Sequence, residues 1–383
     1  MDPYVLVIGY RQQLAAALAR RGIAYSVWSD KPLRKKPVGV GQLISAPFSL
    51  HEENLVKLLG AFSLHAPTHV IAGGEPAVLL AAKVGRYFGC PAHPLPLLER
   101  CTDKAVMKEF LSSQRIPMTQ FIRHSPELTA EELQRILQHP VVIKNRCGSG
   151  GRYMIFAETL EEIRAAMGPG QLYEAFVNAP EGSIECFIRG GKVIFSSVTE
   201  YFTKKVSNIL PASFVGAELQ QIHALNQRVI AALGITRGIT HLEFYRSDKG
   251  LLFGEIALRP PGGYIMELLR RAYDFDPWNL LIDVELGLEH TPVPTKPQGY
   301  AACVVLHPGA GTVSTIRKPR VEEIPSLLKC LIKARIGDKI ISRVGVSDDV
   351  GYCLLFNTSY QQISEDVRRI ENDPPLRITG VWQ

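Results

Sequence analysis

ITHLEFYRSDKGLLFGEIALR, residues 239–259, is the most informative stretch of the chain, because its alternating pattern predicts a β-hairpin that carries two opposed acidic side chains. A three-residue loop at 248–250 would place its glycine in the left-handed conformation that such loops favour. Glu243 would then lie directly opposite Glu255 across the two strands. Two carboxylates in this position repel each other unless a cation neutralises them.

Side chains on the two predicted strands alternate between a polar face and a core face. The predicted polar face carries His241, Glu243, Tyr245, Phe253, Glu255, Ala257 and Arg259, and the predicted core face carries Leu242, Phe244, Leu252, Ile256 and Leu258. Magnesium prefers oxygen ligands, usually one or two protein carboxylates together with phosphates and water. The hairpin therefore predicts a divalent-cation site. Neutralisation by Arg259, or a salt-bridged surface hairpin with its register shifted by one residue, is the alternative.

Length and composition predict a globular protein with more than one core. The chain has 383 residues, of which 46% are hydrophobic and 21% charged, as is typical of soluble domains. No apolar run reaches the length of a membrane-spanning helix, and the N-terminus lacks the features of a secretory signal. The seven cysteines are scattered without a CxxC pair, which favours a reducing compartment. We therefore expect a cytoplasmic protein without a membrane partner.

The first hundred residues alternate strand and helix patterns. YVLVIGY, AYSVWSD and THVIAGG predict strands, while RQQLAAALARRG and PAVLLAAKVGRYFG predict helices. This alternation predicts a parallel sheet covered by helices, a Rossmann-like domain over residues 1–97. No GxGxxG follows the first strand, so a dinucleotide site is not expected. Glu75 follows the strand THVIAGG, at a position where loops of such a domain face a substrate.

From about Thr102 the pattern changes to helices mixed with antiparallel strands. TDKAVMKEFLSSQRI predicts a helix with Thr102 or Asp103 near its N-cap, and PVVIKNRCGSGGRYMIF predicts a hairpin with a glycine-rich tip. We assign residues 98–296 to this second, α+β domain. A proline-rich linker at 290–299 then precedes short β segments and one helix, which predict a small β-rich domain over 297–383.

The glycine-rich tip predicts a phosphate-binding loop, because glycines let backbone N–H groups approach phosphate oxygens closely. The tip consists of Gly148, Ser149, Gly150 and Gly151. Lys144 and Arg152 flank it with positive charge. Taken alone, the tip is equally explained as a flexible turn. Lys104, at the start of its helix, is equally explained as a solvated lysine. Cys147 is explained as an ordinary small side chain beside the loop.

Acidic side chains accompany the apolar strand in YEAFVNAPEGSIE. They are Glu174, Glu181 and Glu185. A carboxylate in this position can accept hydrogen bonds from an adenine amino group or from ribose hydroxyls. Solvated glutamates at a strand edge are the alternative.

Taken together and in this order, these segments resemble the ATP-grasp superfamily. TDKAVMKEFLSSQRIPMTQF resembles the lysine helix of that fold, and PVVIKNRCGSGG resembles its second lysine strand and mobile phosphate loop. YEAFVNAPEGS is similar to the linker strand whose backbone recognises adenine, and THLEF and GEIALRPPGG are similar to the two magnesium-ligand segments. The HxE pattern, Arg259 four residues after Glu255, and the following glycine pair most resemble the carboxylate–amine ligases close to the bacterial L-amino acid (dipeptide) ligases and the biotin-carboxylase-like group.

The resemblance implies an ATP-grasp fold with an N-terminal Rossmann-like domain, a central ATP-grasp domain and a small β-rich C-terminal domain. It implies ATP with Mg²⁺, or Mn²⁺ in its place, and small-molecule carboxylate and amine substrates. An amide or peptide bond would form through an acyl phosphate, with release of ADP and phosphate. A homodimer is suggested only by analogy with the family.

The resemblance also assigns roles to individual side chains. Those implied to bind the nucleotide are Lys104, Lys144, Gly148, Ser149, Gly150, Gly151, Glu174, Phe176, Val177 and Glu181. Glu243 and Glu255 are the implied metal ligands. Arg259 is suited to bind a carboxylate or acyl phosphate bidentately. His241 would position the substrate or help to deprotonate the amine, with a buried, hydrogen-bonded strand histidine as the alternative.

The second metal segment departs from the family pattern. The family has Glu-x-Asn at this segment, whereas Ala257 occupies the asparagine position and offers no side-chain oxygen. A water can fill the vacancy, because magnesium usually keeps several waters. Weaker metal binding or a different number of metal ions is expected, and loss of activity is the alternative.

Other functions stay open at this point. Biotin-carboxylase-like and purine-pathway enzymes share the fold, although no AMKM-type biotinylation sequence occurs here. A non-catalytic nucleotide sensor would also keep the fold. The basic C-terminal part, with RKPR at 317–320, would suit an RNA-binding module. Nucleic acid is nevertheless not expected, because the net charge of +6 comes without a recognisable nucleic-acid-binding signature.

Overall fold

A four-stranded parallel sheet forms the N-terminal part of the protein in the computed structural model, which describes residues 2–60, 66–345 and 348–380. The elements are β1 (Tyr4–Ile8), α1 (Gln12–Arg20), β2 (Ala24–Ser29), β3 (Val40–Ser45), α2 (Glu52–Gly60), β4 (His69–Ala72) and α3 (Val78–Tyr87). The strand order is β3-β2-β1-β4, and the side chains of Val5 through Ile8 are fully buried because helices cover the sheet. The predicted Rossmann-like arrangement is therefore confirmed. Met1 and residues 381–383, the ends of the predicted domains, lie outside the described residues.

A second, antiparallel sheet of four short strands follows two consecutive helices. The elements are α4 (Leu95–Thr102), α5 (Lys104–Ser113), β5 (Phe121–Arg123), α6 (Ala130–Leu137), β6 (Val141–Asn145), β7 (Ile155–Ala157), α7 (Leu160–Ala166) and β8 (Gln171–Ala175). The strand order is β5-β8-β6-β7. Helix α5 begins at Lys104 because the Asp103 carboxylate accepts a hydrogen bond from the backbone N–H of Ala105 at 3.0 Å. Of the two predicted caps, Asp103 is the one the structure uses.

An eight-stranded sheet carries the residues expected to bind metal. Its first part contains β9 (Glu181–Arg189), β10 (Lys192–Thr203), β11 (Ser207–Leu210), α8 (Gly216–Leu233), β12 (Arg237–Ser247), β13 (Gly250–Leu258), α9 (Ile265–Tyr273) and α10 (Pro277–Leu286). The order across the whole sheet begins β13-β12-β9-β10-β11. Apolar side chains of β9, α9 and α10 share one core with those of β1 and α1, so the first two parts of the chain pack directly against each other.

The C-terminal strands extend this sheet. The remaining elements are β14 (Tyr300–Leu306), β15 (Gly311–Ile316), β16 (Leu327–Ile332), β17 (Lys339–Ile340), β18 (Gly351–Asn357), α11 (Tyr360–Asn372) and β19 (Leu376–Thr379). Strand β14 pairs with β11, followed by β18 and β16, while β17, β15 and β19 form a small separate sheet. The C-terminal part is β-rich as expected, and the bounds of the three domains stay a prediction. None of the helices in the described ranges is long and apolar enough to cross a membrane.

The hairpin of β12 and β13 places Glu243 opposite Glu255 as expected, but its turn and its register differ from the prediction. The predicted three-residue loop is wrong, because Ser247 pairs with Gly250 and the turn has two residues. A bulge between Glu243 and Phe244 then leaves Gly254 unpaired and restores the opposition of the two glutamates. Glycine suits the bulge, since a Cβ at Gly254 would lie only 3.0 Å from the carbonyl oxygen of Glu243.

The bulge also corrects the predicted faces of β13. Phe253 was expected on the polar face and Leu252 on the core face. Phe253 instead pairs with Phe244, and both rings are fully buried in the core, while Leu252 pairs with Tyr245 and is only partly buried. The reason is the extra residue, which reverses the alternation on the loop side of the bulge.

Candidate active site

The opposed glutamates lie at one edge of the large sheet, on β12 and β13, next to a lysine from helix α5. The Lys104 ammonium nitrogen lies 3.6 Å from Oε2 of Glu255. The hydroxyl of Tyr201, on β10, donates a hydrogen bond to Oε1 of Glu243 at 3.0 Å. Burial alone would raise the pKa of Glu243, but the neighbouring His241 lowers it below its ordinary value. Glu243 is therefore held as a carboxylate, the form that binds a cation.

His241 lies between two carboxylates. Its Nδ1 is 2.8 Å from Oε1 of Glu185, and its Nε2 is 3.3 Å from Oε1 of Glu243. Glu185 is fully buried and also accepts hydrogen bonds from the hydroxyls of Ser183 and Thr199. Burial opposes protonation of His241, but the hydrogen bonds with the two glutamates outweigh it and raise its pKa to about 9. The ring is thus held in place with a proton on each nitrogen.

Two lysines share one buried glutamate behind the predicted nucleotide site. Glu174 is 2% exposed; its Oε2 accepts a hydrogen bond from the Lys144 ammonium at 2.8 Å, and its Oε1 lies 3.3 Å from that of Lys108. Burial would raise the pKa of Glu174, but the two lysines lower it to about 2. Burial lowers the pKa of Lys108, which Glu174 only partly offsets. The glutamate holds both lysines, and its oxygens face them.

A cleft of about 260 Å³ lies between the small antiparallel sheet and the large sheet. Its lining includes Lys144, Phe156, Phe176, Val177 and Glu181. Phe156 and Phe176 meet edge to face, with ring centroids 5.9 Å apart, and they are 40% and 38% exposed. Glu181 pairs with the ammonium of Lys204. A partly open aromatic pair beside an acid and two lysines suits a flat ring with a charged tail.

The glycine-rich loop is docked on the start of α5. The Lys104 backbone N–H donates to the carbonyl of Arg146 at 2.8 Å, and the Lys104 ammonium donates to the carbonyl of Gly148 at 2.6 Å. Gly148, Gly150 and Gly151 have φ angles of +122°, +73° and +64°, which non-glycine residues rarely adopt. The conformation of the tip thus depends on its glycines.

Arg259 reaches from the end of β13 to the N-terminal part of the chain. Its Nε donates to Oε2 of Glu75 at 2.7 Å, and its Nη1 donates to the carbonyl of Pro260 at 3.0 Å. Burial raises the pKa of Glu75, although Arg259 acts in the opposite direction. Glu75, expected from its strand-end position to face a substrate, is therefore the partner that orients Arg259.

The structure brings most of the predicted residues into one region. Lys104, the loop, Glu243 and Glu255 are neighbours, while Lys144, Phe176, Val177 and Glu181 line the adjacent cleft. Glu174 borders the cleft, but its carboxylate is engaged by lysines. Cys147 is an exposed residue of the loop. Its thiol is nevertheless partly shielded from water, which raises its pKa and does not favour a reactive thiolate.

Sequence reasoning missed Lys108 and Tyr201. Lys108 lies one turn after Lys104, and its neighbours Ala105, Met107 and Leu111 are all buried. A lysine on the apolar face of a helix was the available signal. Tyr201 gave no signal, because its approach to Glu243 depends on the pairing of β10 with β9 and of β9 with β12.

The opposed carboxylates fit magnesium better than a metal held by protein alone. Within the described ranges, no group of three or more histidine, cysteine, aspartate or glutamate side chains is arranged to hold a metal ion. Two glutamates with a lysine beside them match an ion that takes its other oxygens from phosphates and water. Ala257 pairs with His241 and supplies no oxygen to that set.

Comparison with known proteins places this geometry among the ATP-grasp folds. No protein-family model matches the sequence. The chain is 24% identical over 237 residues to the L-arginine-specific L-amino acid ligase of Bacillus subtilis, a match covering 57% of this chain and 57% of that protein. The match thus spans little more than half the length of this curated relative.

Solved structures resemble the protein over its full length. The L-amino acid ligase from Bacillus licheniformis superimposes with a TM-score of 0.81 at 19% identity, covering 100% of this chain and 99% of that chain. The N5-carboxyaminoimidazole ribonucleotide synthetase from Thermotoga maritima gives a TM-score of 0.74 at 20% identity, covering 99% of each chain. The protein therefore has the ATP-grasp fold, and the resemblance predicted from its motifs is confirmed.

Proposed function

We propose that the protein is an ATP-dependent ligase that activates a small carboxylate as an acyl phosphate and transfers the acyl group to an amine. The observation that carries the proposal is the opposition of Glu243 and Glu255 beside Lys104 and the glycine-rich loop. A metal-binding pair next to a phosphate-binding loop is the arrangement that phosphoryl transfer requires. The relatives named as amino acid ligases support an amino acid as the acid.

The cleft would hold the nucleotide. Phe156 and Phe176 would provide an apolar edge for the adenine ring, and Glu181, which lines the same cleft, would accept from ribose hydroxyls. Lys144, fixed by Glu174, would present positive charge to the phosphates. Because a held ammonium needs no reorganisation, it stabilises phosphate charge more effectively than a mobile one.

Glu243 and Glu255 would hold Mg²⁺, which when bound supplies positive charge to the phosphate oxygens of ATP. His241 acts as a positioning residue, since both of its nitrogens face the carboxylates of Glu185 and Glu243. Those contacts fix the side chain of Glu243 on the sheet. They also leave His241 poorly placed to accept a proton from an amine.

Arg259 would bind the reacting carboxylate and then the acyl phosphate. In the first step a carboxylate oxygen attacks the γ-phosphorus, the bond to the β-phosphate oxygen breaks, and ADP leaves. In the second step the amine nitrogen attacks the acyl carbon, the carbon–oxygen bond to phosphate breaks, and the nitrogen loses a proton to solvent. Arg259 is oriented by Glu75 for this role, because its Nε is already engaged.

The test is nucleotide product analysis with ATP, magnesium and pooled L-amino acids, in the presence of hydroxylamine to trap acyl phosphates. ADP and a hydroxamate that both depend on particular acids are expected, and Glu255→Gln should abolish both. Lys192→Gln is a matched control, because Lys192 is exposed at the start of β10. AMP as the product would exclude the acyl-phosphate route. ATP binding without turnover on any amino acid or on bicarbonate would favour a nucleotide sensor instead.

A further inference from the structure

A second cavity lies at the junction of the N-terminal sheet and the large sheet. It spans about 530 Å³ when the solvent at its opening is included, and it is bounded by β4, α3, the start of β12, the end of β13 and α10. Its floor is apolar and includes Val78, Ala81, Ala82 and Leu98. An apolar floor with a few convergent polar groups is the composition typical of small-molecule sites.

Three polar side chains converge on one side of this cavity, which we call the junction cavity: Arg237, Glu285 and His93. Nε of Arg237 lies 3.7 Å from Oε2 of Glu285, beyond hydrogen-bonding distance. A Cβ on Gly238 would lie 3.2 Å from Oε1 of Glu285 and 3.8 Å from Nε2 of His93, so both atoms approach the same point of β12.

These groups have unused hydrogen-bonding capacity. Nε of Arg237 is buried and has no hydrogen-bond partner. Across the part of the chain that the structure describes, Glu285 has Arg237 as its ion-pair partner, and that contact is too long for a hydrogen bond. Burial raises the pKa of Glu285, and Arg237 opposes that shift. The two side chains are only partly buried, 26% and 18% exposed, but the buried Nε of Arg237 is costly without a hydrogen-bond partner, and a ligand that accepts from it would relieve that cost.

The charges select the class of ligand. Burial and then Arg237 lower the pKa of His93 to about 4, so its ring is neutral at pH 7 and adds no charge. A carboxylic acid alone would satisfy Arg237 but meet Glu285 as a like charge, and an amine alone would do the reverse. A zwitterion with an aliphatic side chain satisfies both groups and covers the apolar floor.

We propose that the junction cavity binds a free aliphatic α-amino acid, with its carboxylate on Arg237, its ammonium on Glu285 and its side chain against Val78 and Ala81. The two groups proposed to bind the ligand lie outside the proposed metal and nucleotide sites. Arg237 precedes Glu243 by six positions on β12, which corresponds to about 20 Å along a strand.

The two sites share one wall. Arg259, which Glu75 orients for the proposed reaction, also lines the junction cavity. A ligand bound in the junction cavity would therefore affect the position of the Arg259 side chain. The binding proposal itself does not depend on the proposed function, because it rests on groups outside the metal and nucleotide sites.

The test is isothermal titration calorimetry of L-leucine with the full chain in the absence of ATP. Saturable binding is expected, and Arg237→Gln and Glu285→Gln should each weaken it at least tenfold, whereas Glu289→Gln, an exposed carboxylate just beyond α10, should leave it unchanged. 4-Methylpentanoate and 3-methylbutylamine, which lack the ammonium and the carboxylate respectively, should bind at least tenfold more weakly than leucine.

Two further variants separate the junction cavity from the active site. Ala81→Leu fills the apolar floor while keeping every charge, and it should remove leucine binding from a protein that still unfolds cooperatively in calorimetry. Glu255→Gln should leave leucine binding intact. Absence of saturable binding by L-leucine would overturn the proposal. Binding that survives Ala81→Leu and Arg237→Gln but is lost in Glu255→Gln would also overturn it, because leucine would then occupy only the active site.

Discussion

Replacing Glu174 by glutamine should destabilise the protein through the two lysines that share this carboxylate. Lys108 and Lys144 lower the pKa of Glu174 from 4.5 to about 2. At about 1.4 kcal/mol for each pKa unit, that shift corresponds to roughly 3 kcal/mol of stability at neutral pH. The same figure follows from the cost of removing one partner of a buried ion pair, about 3–5 kcal/mol. Deprotonation of Lys108 limits the loss, because burial already lowers its pKa.

The assay is the melting temperature by differential scanning calorimetry at pH 7. A loss of about 3 kcal/mol corresponds to a decrease of roughly 6–12 °C for a cooperative unit of 150–250 residues. Glu109→Gln is the matched control. Glu109 and Arg123 form an ion pair at 3.5 Å with side chains 46% and 44% exposed, and such surface pairs contribute about 0–1 kcal/mol.

The pH dependence gives a second check on the same prediction. A carboxylate with a lowered pKa in the folded state stabilises the protein fully above the unfolded pKa of 4.5, and this contribution is lost as the pH falls towards about 2. The difference between wild type and Glu174→Gln should therefore be constant from pH 7 to pH 5.5 and shrink below pH 4.5. A Glu174→Gln protein that melts within 2 °C of the Glu109→Gln control would refute the reasoning.

The remaining predictions concern the candidate active site. Lys144→Met should raise the KM for ATP by at least about tenfold, equivalent to about 1.4 kcal/mol, whereas Lys192→Met should not change it; equal effects in steady-state kinetics would contradict a phosphate-binding role. Ala257→Asn adds an oxygen ligand and should lower the magnesium concentration for half-maximal activity by roughly threefold, and a magnesium titration without a shift would place residue 257 outside the metal site. Arg259→Lys should lower kcat by roughly 100-fold, because lysine cannot bind a carboxylate bidentately, and the KM for ATP should stay unchanged; a loss confined to that KM would assign Arg259 to the nucleotide instead.

Local patterns predicted much of the fold. The β-α-β alternation of the N-terminal part, the N-cap at the start of α5 and the hairpin with the glycine-rich tip depend on short-range periodicity and turn chemistry. The opposition of Glu243 and Glu255 was predicted correctly with the wrong loop. The two-residue turn shifts the pairing by one residue, and the bulge at Gly254 shifts it back, so that the two glutamates are again opposite each other. No short-range sequence rule predicts that bulge.

Long-range contacts could not be predicted in the same way. The position of Glu174 between Lys108 and Lys144 requires α5 to pack beside β6 and β8. These elements are far apart in the sequence, so no local pattern predicts that packing. A buried glutamate that holds two lysines looks, in sequence, the same as a solvated one. The engagement of Arg259 with Glu75 spans two parts of the chain and depends on how they pack.

The most direct test of the acyl-phosphate route follows the oxygen atoms of the carboxylate. The protein would be incubated with ATP, magnesium, an amine and amino acids labelled with ¹⁸O in the carboxylate, and the released phosphate would be analysed by mass spectrometry. The route through an acyl phosphate predicts one ¹⁸O atom in each phosphate formed, because the bond between carbon and the bridging oxygen breaks in the second step. Label found in AMP, or phosphate without label while amide forms, would contradict it.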